Sequence, residues 1–333
     1  MPEVLVRARG LTKRFGSFTA VDGINFDLFR GEAFGFLGPN GAGKSSTMRM
    51  LGCVSPPTTG DLTILGGDPV RDGPAIRSRL GVVPQEDTLD NELTVRENLL
   101  VYGRYFGLPR KLINERTDQL LDFVQLTERA DDQVEPLSGG MKRRLTIARS
   151  LINEPDILIL DEPTTGLDPQ ARHVVWDRLF TLKQSGVTLI LTTHYMDEAE
   201  QLCDRLVVMD HAAIVAEGTP RDLIARYSTH EVLELRFAPE DRDEALLKIK
   251  ELQDEELRAP DTMADLAIGR AAGGSSTRAM TVVTADRLLL YAADGDDFLD
   301  RVHRAGLDPI TELVRRSTLE DVFLHLTGRT LID

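Results

Sequence analysis

The stretch "GPNGAGKSS" at 38–46 sets glycines at 38, 41 and 43 ahead of a lysine and two serines. Glycines at that spacing let a backbone wrap closely around a small anion, with successive amides turned inward. The pattern G-x-x-x-x-G-K-[ST] needs a strand before it and a helix after it. Both are predicted here, from "GEAFGFLG" (31–38) and from 44–52. Gly38, Pro39, Asn40, Gly41, Ala42 and Gly43 thus form a candidate phosphate cradle. Lys44 is expected to bridge the β- and γ-phosphates of a nucleotide, Ser45 to ligate Mg2+ and Ser46 to support the α-phosphate. A purely structural glycine turn is the competing explanation, and the matching flanks argue against it.

A complement lies in "PDILILDEP" (155–163). Four apolar residues bring Asp161 to the carboxyl end of a buried strand, where a carboxylate can hold Mg2+ through water. Glu162 follows and, by strand alternation, points the other way, placed to polarise a water for in-line attack on the γ-phosphate. Gln85 ends "GVVPQ" and His194 ends "LILTTH". Alone, each reads as a polar cap on an apolar strand. Beside a phosphate cradle, Gln85 is a candidate sensor of Mg2+ and of the attacking water. His194 is a candidate γ-phosphate contact that orients Glu162. Phe15 in "TKRFG" is the expected platform for adenine, with Phe18 as competitor; such stacking is worth ~1–3 kcal/mol.

A second anion seat stands almost a hundred residues on. In "PLSGGMKRRLTIARS" (136–150), Ser138, Gly139 and Gly140 precede apolar residues at helical spacing, Met141, Leu145 and Ala148. A helix start of that kind leaves amides facing outward at the positive end of the dipole. For both seats to serve one nucleotide in one chain, two helix N-termini would have to converge on one γ-phosphate. A head-to-tail pair of chains removes the difficulty, each nucleotide lying between the 38–46 loop of one copy and the Ser138 turn of the other.

The elements that must position these residues alternate along 1–218. Apolar runs at 31–38, 79–85, 155–163, 186–194 and 204–210 read as strands, several apolar on both faces as buried parallel strands are. Helices are predicted at 44–52, 94–107, 140–152 and 169–185, which implies a mostly parallel α/β sheet with right-handed crossovers. Residues 4–32 show period-2 stretches between glycine turns and read as an antiparallel flank.

Past "AEGTPRDLI" the character changes. Residues 238–300 hold 15 Asp and Glu against 7 Lys and Arg. Strand 232–238, helix 240–253, strands 279–284 and 287–292, helix 296–305 and strand 310–316 give the order β-α-β-β-α-β, which is ferredoxin-like. "AAGGSSTRA" (271–279) reads as a connection, and "STLEDVFLHLTG" as a last helix capped by Ser317 or Thr318. The division is therefore 1–220, with a helical subdomain at about 88–150, followed by an acidic α+β domain at 221–333. No motif ties that second domain to chemistry, and its expected role is to stabilise a dimer or regulate its opening.

The chain has 333 residues, 41% of them hydrophobic and 28% charged, with a formal net charge of −15. That charge argues against nonspecific binding to nucleic acid or anionic lipid. Cys53 and Cys203 give no disulfide framework, which fits a reducing cytoplasm. "MPEVLVRARG" lacks the apolar core of a signal peptide, and no apolar run approaches the ~18–20 residues that span a bilayer. Any membrane role is expected to come through a partner.

At these residues the sequence resembles the ATP-binding subunits of ABC (ATP-binding cassette) transporters, over about residues 4–218. "GPNGAGKSS" is similar to Walker A, "ILILDE" to Walker B with Glu162 as catalytic base, and "LSGGM" to the ABC signature. "TTGLDP" (164–169) is similar to the D-loop, Gln85 to the Q-loop and His194 to the switch histidine. Met141 stands where Gln is usual and Phe15 where Tyr is commoner; neither change removes a phosphate ligand. The resemblance implies ATP and Mg2+ as cofactors and a homodimer with two composite ATP sites. In it Ser138, Gly139 and Gly140 contact the γ-phosphate in trans, with Asp168 at the same interface. "LTVRENLLVYGRYFGLP" and "STLEDVFLHLTGR" look like the drug-resistance and nodulation-factor export ATPases, which pair with ABC-2 type permeases. That branch implies a peripheral position on the cytoplasmic side of the membrane and export of a drug-like, lipid or lipo-oligosaccharide substrate that contacts the permease. The stretch at about 88–125, with Tyr102, Tyr105 and Phe106, would receive the permease's coupling helix. An importer subunit with a ligand-sensing tail, and a soluble ATP switch on ribosomes or DNA, are the alternatives.

Overall fold

The computed structural model of the chain, which describes residues 2–258, 280–284 and 286–328, divides into two units between Pro220 and Arg221. The first begins with β1 (Val4–Phe15), β2 (Phe18–Phe29), β3 (Ala33–Leu37), α1 (Lys44–Leu51), β4 (Thr59–Ile64), α2 (Gly73–Arg77) and β5 (Leu80–Val83). A helical stretch follows, α3 (Val95–Tyr105), α4 (Arg110–Phe123) and α5 (Gly139–Ser150). Then come β6 (Ile157–Asp161), α6 (Pro169–Gln184), β7 (Thr188–Thr193), α7 (Met196–Leu202), β8 (Arg205–Asp210) and β9 (Ala213–Gly218).

Six strands form one sheet in the order β5-β6-β7-β3-β8-β9, parallel except for the last pair. Every residue of β3 and β7 is buried, as is expected of strands covered on both faces. The antiparallel flank is a separate sheet, β2-β1-β4. Phe26 from this flank packs its ring on Phe34 and Phe36 of β3, with centroids 5.8 and 5.2 Å away. Thr94 and Glu97 close a capping box at the start of α3, fixing where the helical stretch begins. A Cβ on Gly103 would lie 2.9 Å from the Ile113 side chain, so glycine is what lets α3 and α4 approach. Strands β4 and β9 have no counterpart in the sequence-based reading.

Four strands of the second unit pair antiparallel in the order β11-β12-β10-β13. They are β10 (Glu231–Arg236), β11 (Met280–Val283), β12 (Leu288–Ala292) and β13 (Thr311–Arg316). The helices are α8 (Pro220–Tyr227), which begins at the division, α9 (Arg242–Arg258), α10 (Gly295–Arg304) and α11 (Leu319–Thr327). This is the ferredoxin-like order, with α9 running five residues past the expected end at 253. Ala245, Ile249, Phe298 and Val302 cover one face of the sheet, and Leu324 packs with Val232, Leu289 and Tyr291 on the other. Thr318, not Ser317, caps α11, through a box with Asp321. Buried Asp321 also accepts from Arg315 at 2.7 and 3.0 Å and from Tyr291 Oη at 2.9 Å. Burial pushes its pKa up, but Arg315, the Thr318 amide and Tyr291 together outweigh that and hold it below the ordinary value. The expected connection at 271–279 lies outside the described residues.

Candidate active site

The carboxyl ends of β5, β6, β7 and β3, four adjacent strands, lead into Gln85, Asp161 with Glu162, His194 and the 38–43 loop. After β3 the chain enters the 38–43 loop, which is wedged between two other strands. A Cβ on Gly38 would lie 2.3 Å from the Met209 carbonyl of β8, and one on Gly43 would lie 2.4 Å from the Ala20 carbonyl of β2. Gly43 also has φ +106°, a backbone state that only glycine adopts without strain. Residues Gly38, Ala42 and Gly43 are buried, whereas Pro39 is half-buried and Asn40 and Gly41 are exposed. Helix α1 starts directly at Lys44 with no acidic residue in its first turn, so the positive end of its dipole faces the loop. Ser45 on that turn is exposed and Ser46 half-buried. Lys44 is only 4% exposed, and its Nζ donates to the carbonyls of Gly38 at 2.6 Å and Pro39 at 3.0 Å. Burial pulls its pKa down, opposed by the charges of Glu162 and Asp161.

Asp161 is the last residue of β6, and Thr192 Oγ1 donates to its Oδ1 at 2.5 Å. Strand alternation does not carry on to Glu162. That residue has φ +46°, a left-handed turn that costs a non-glycine residue ~1–2 kcal/mol. Its amide is held by Thr192, at 3.2 Å to the carbonyl and 3.0 Å to Oγ1. The turn, rather than the pleat, aims its side chain. Gln85 Nε2 donates to Glu162 Oε2 at 3.1 Å and Thr165 Oγ1 does so at 3.0 Å. His194 Nδ1 lies 3.4 Å from Oε1, within ion-pair reach but out of hydrogen-bond alignment. The His194 contact draws the Glu162 pKa below its ordinary value; burial opposes, and Thr165 and Lys44 add to the lowering. Glu162 is therefore an ionised carboxylate at neutral pH, in one group with Gln85 and His194 and near the Lys44 charge.

Ser138, Gly139, Gly140 and Asp168 form a different group. Ser138 caps α5, its Oγ accepting from Met141 N at 3.3 Å. The amides of Gly139 and Gly140 precede the first hydrogen bond of that helix, Lys142 N to Ser138 O. Asp168 caps α6 by accepting from Ala171 N at 2.9 Å. The two caps are neighbours: a Cβ on Gly140 would lie 2.8 Å from Ala171 Cβ, and one on Gly139 would lie 3.7 Å from Leu167. Ser138 and Asp168 are both exposed. Apart from Phe15, the predicted residues thus fall into two clusters in one chain.

Arg143 joins α5 to the first cluster, and the sequence-based reading missed it. It sits in the basic run "MKRRL", which looks like a solvated helix face. Yet it is 8% exposed, and its guanidinium donates to the carbonyls of Pro163 at 2.6 Å, of Asp161 and Glu162 at 3.0 Å each, and of Pro84. The roles of Thr192 and Thr165 were missed as well, since "LILTTH" and "TTGLDP" point to His194 and Asp168 and not to the hydroxyls beside them. Phe15 and Phe18 face each other across the β1–β2 turn, 50% and 61% exposed, so neither is a core residue. Lys13 Nζ lies 5.0 Å from the Phe15 ring centroid. In the helical stretch, Asp90, Glu92, Tyr102, Tyr105 and Arg149 line a groove of about 740 Å³. Tyr105 is 79% exposed there, and the Arg149 guanidinium lies 4.8 Å from the Tyr102 ring.

A family model described as "ABC transporter" matches residues 21–165, and one described as "Nodulation factor export protein NodI, C-terminal domain" matches 268–328. A relative from Ralstonia nicotianae, "Nod factor export ATP-binding protein I", is 44% identical over 99% of this chain and 95% of its own length. The chain belongs to the ABC transporter ATP-binding proteins, in the branch of the Nod factor export proteins. This ABC protein is an ATPase of the kind that powers transport. Among solved structures, cbiO1 of Clostridium perfringens, part of the ABC transporter complex cbiONQ, is 30% identical with a TM-score of 0.63, covering 67% of this chain and 91% of that one. A dimeric post-hydrolysis state of the ATP-binding cassette MJ0796, bound to ADP and Pi, is 27% identical with a TM-score of 0.59, covering 64% and 98%. Among the described residues of this ABC ATPase, no helix is long and apolar enough to cross a membrane.

Proposed function

We propose that the chain is the ATP-hydrolysing subunit of an exporter of a lipo-oligosaccharide, acting as a head-to-tail homodimer beneath a separate ABC-2 type permease. The observation that carries this reading is the 44% identity to a Nod factor export ATP-binding protein along almost the whole of both chains, the second unit included. The 38–43 amides and Lys44 hold the phosphates, and the first turn of α1 adds its dipole. Phe15 stacks on the base. Glu162, ionised and aimed by its left-handed turn, accepts a proton from the attacking water, while Gln85 and His194 keep its carboxylate in line. The donor set of Ser45, Asp161 and Gln85 is too small to cage a cation alone, but it fits Mg2+ that keeps its waters and arrives with nucleotide. Bound there, Mg2+ supplies charge neutralisation for the departing phosphate. Ser138, Gly139, Gly140 and Asp168 face a second copy and complete its site.

ATP binding closes the pair, hydrolysis and phosphate release remove the cross-interface contacts, and the permease reads the opening and closing. The groove at Tyr102 and Tyr105 offers aromatic and acidic surface for a permease helix. The chain thus works at the cytoplasmic membrane surface, and the permease selects the substrate. The test is transport in inside-out vesicles holding the permease and this subunit, with a lipo-oligosaccharide, a polyketide amphiphile and a phospholipid as probes. ATP-dependent accumulation of the lipo-oligosaccharide inside the vesicles is expected, and it should vanish with Glu162→Gln. Accumulation of the polyketide alone, or movement outward, would contradict the reading.

A further inference from the structure

Arg143 carries a charge into the interior, and all its hydrogen bonds there go to backbone carbonyls. Burying a guanidinium costs free energy that an apolar side chain of similar length would not, so packing alone does not explain it. What the planar fork does provide is simultaneous reach to four carbonyls on two segments. One segment is the end of β6 and the turn after it, from Asp161 to Pro163. The other is Pro84, the residue before Gln85. Arg143 therefore grips the backbone on both sides of the Gln85–Glu162 contact. Glu162 is held from two directions, its amide by Thr192 of β7 and its carbonyl by Arg143 of α5. Because its backbone lies in a strained region, its orientation depends on those two grips. Arg143 is also four residues, about one helical turn, from Gly139.

We propose that Arg143 is a positioning residue that ties the N-terminus of α5 to Glu162 and Gln85 of the same chain, so that nucleotide engaged at Ser138–Gly140 sets the geometry of that chain's own hydrolytic site. The inference rests on the composite-site reading above and adds a route between the two sites of a pair. A rigid helix transmits a shift at its first turn to a side chain one turn on, and that side chain grips the strained residue.

The test compares wild type with Arg143→Met, which fills the space without donors, and Arg143→Lys, which offers a single donor head. Hydrolysis is followed against ATP concentration, with binding of a fluorescent ATP analogue and ATP-induced dimerisation measured separately. Wild type should show a Hill coefficient above 1, at most about 2 for two sites. Arg143→Met should bind nucleotide within about threefold of wild type and still dimerise, yet lose at least ~10-fold in kcat and drop to a Hill coefficient of about 1, consistent with a lost positioning contact. Arg143→Lys should regain part of kcat but not the cooperativity. If Arg143→Met does not fold, Arg143→Gln, with one amide head, takes its place with the same expectation. Unchanged cooperativity in the variant, or a Hill coefficient of 1 in a wild type that dimerises, overturns this inference alone. Full hydrolysis without dimerisation would instead overturn the composite site beneath it.

Discussion

Replacing Glu162 by Gln is expected to leave ATP binding near wild type and to lower turnover by about 10²–10⁴-fold, the usual contribution of a general base. The amide keeps an oxygen for Gln85 Nε2 and Thr165 Oγ1, which now meet at Glu162 Oε2 at 3.1 and 3.0 Å, so the local geometry survives. What disappears is the negative charge that accepts the proton, worth about 3–5 kcal/mol of barrier at that ratio. Removing a carboxylate from beside the phosphates also relieves repulsion, so affinity should hold or rise. The pH profile adds a check. Because the His194 contact lowers the Glu162 pKa, the base stays ionised as pH falls to its ordinary 4.5 and is lost only below it. Any acid limb of the wild-type kcat/KM due to Glu162 of the nucleotide-free enzyme therefore lies under pH 4.5. Turnover within tenfold of wild type in the Gln variant would remove Glu162 from the chemistry.

Gly43→Ala should damage the phosphate loop far more than Gly41→Ala, although both glycines have positive φ. At Gly43 the added Cβ lies 2.4 Å from a backbone carbonyl and φ is +106°. Strain of ~1–3 kcal/mol then adds to an overlap of ~1–3 kcal/mol that flexible atoms cannot relieve. At Gly41, with φ +82°, nothing lies within 4 Å, so only strain remains. Equilibrium ATP binding should weaken by ~30-fold or more for Gly43→Ala, since each 1.4 kcal/mol is tenfold, and melting should fall by several degrees. Equal, small effects at the two positions would mean that the loop is not wedged between β2 and β8 as described.

The contrast between Lys44 and Arg143 marks what a sequence can carry. The loop at 38–46, Asp161, Gln85 and His194 were legible because unusual residue types end apolar strands at fixed spacings. Their convergence follows from a parallel sheet in which β5, β6, β7 and β3 lie side by side. Arg143 was not legible, because a basic residue in a basic helical run looks solvated until tertiary packing buries it. What aims Glu162 was not legible for a related reason: a left-handed turn overrides the period of 2, and no glycine announces it. Strand β9 escaped because "AIVAEG" is half-exposed, and β4 because it is mostly polar and exposed and pairs on one side only.

The most direct measurement mixes two inactive proteins, one carrying Lys44→Ala and the other Ser138→Arg. Each has lost a different half of the hydrolytic centre, so random exchange should restore one complete centre per mixed pair. Turnover should exceed that of either parent, with a ceiling of roughly a quarter of wild type that loss of the coupling through Arg143 lowers. A mixture no more active than its parts, or a strictly monomeric wild type that hydrolyses ATP at the full rate, would contradict the shared site.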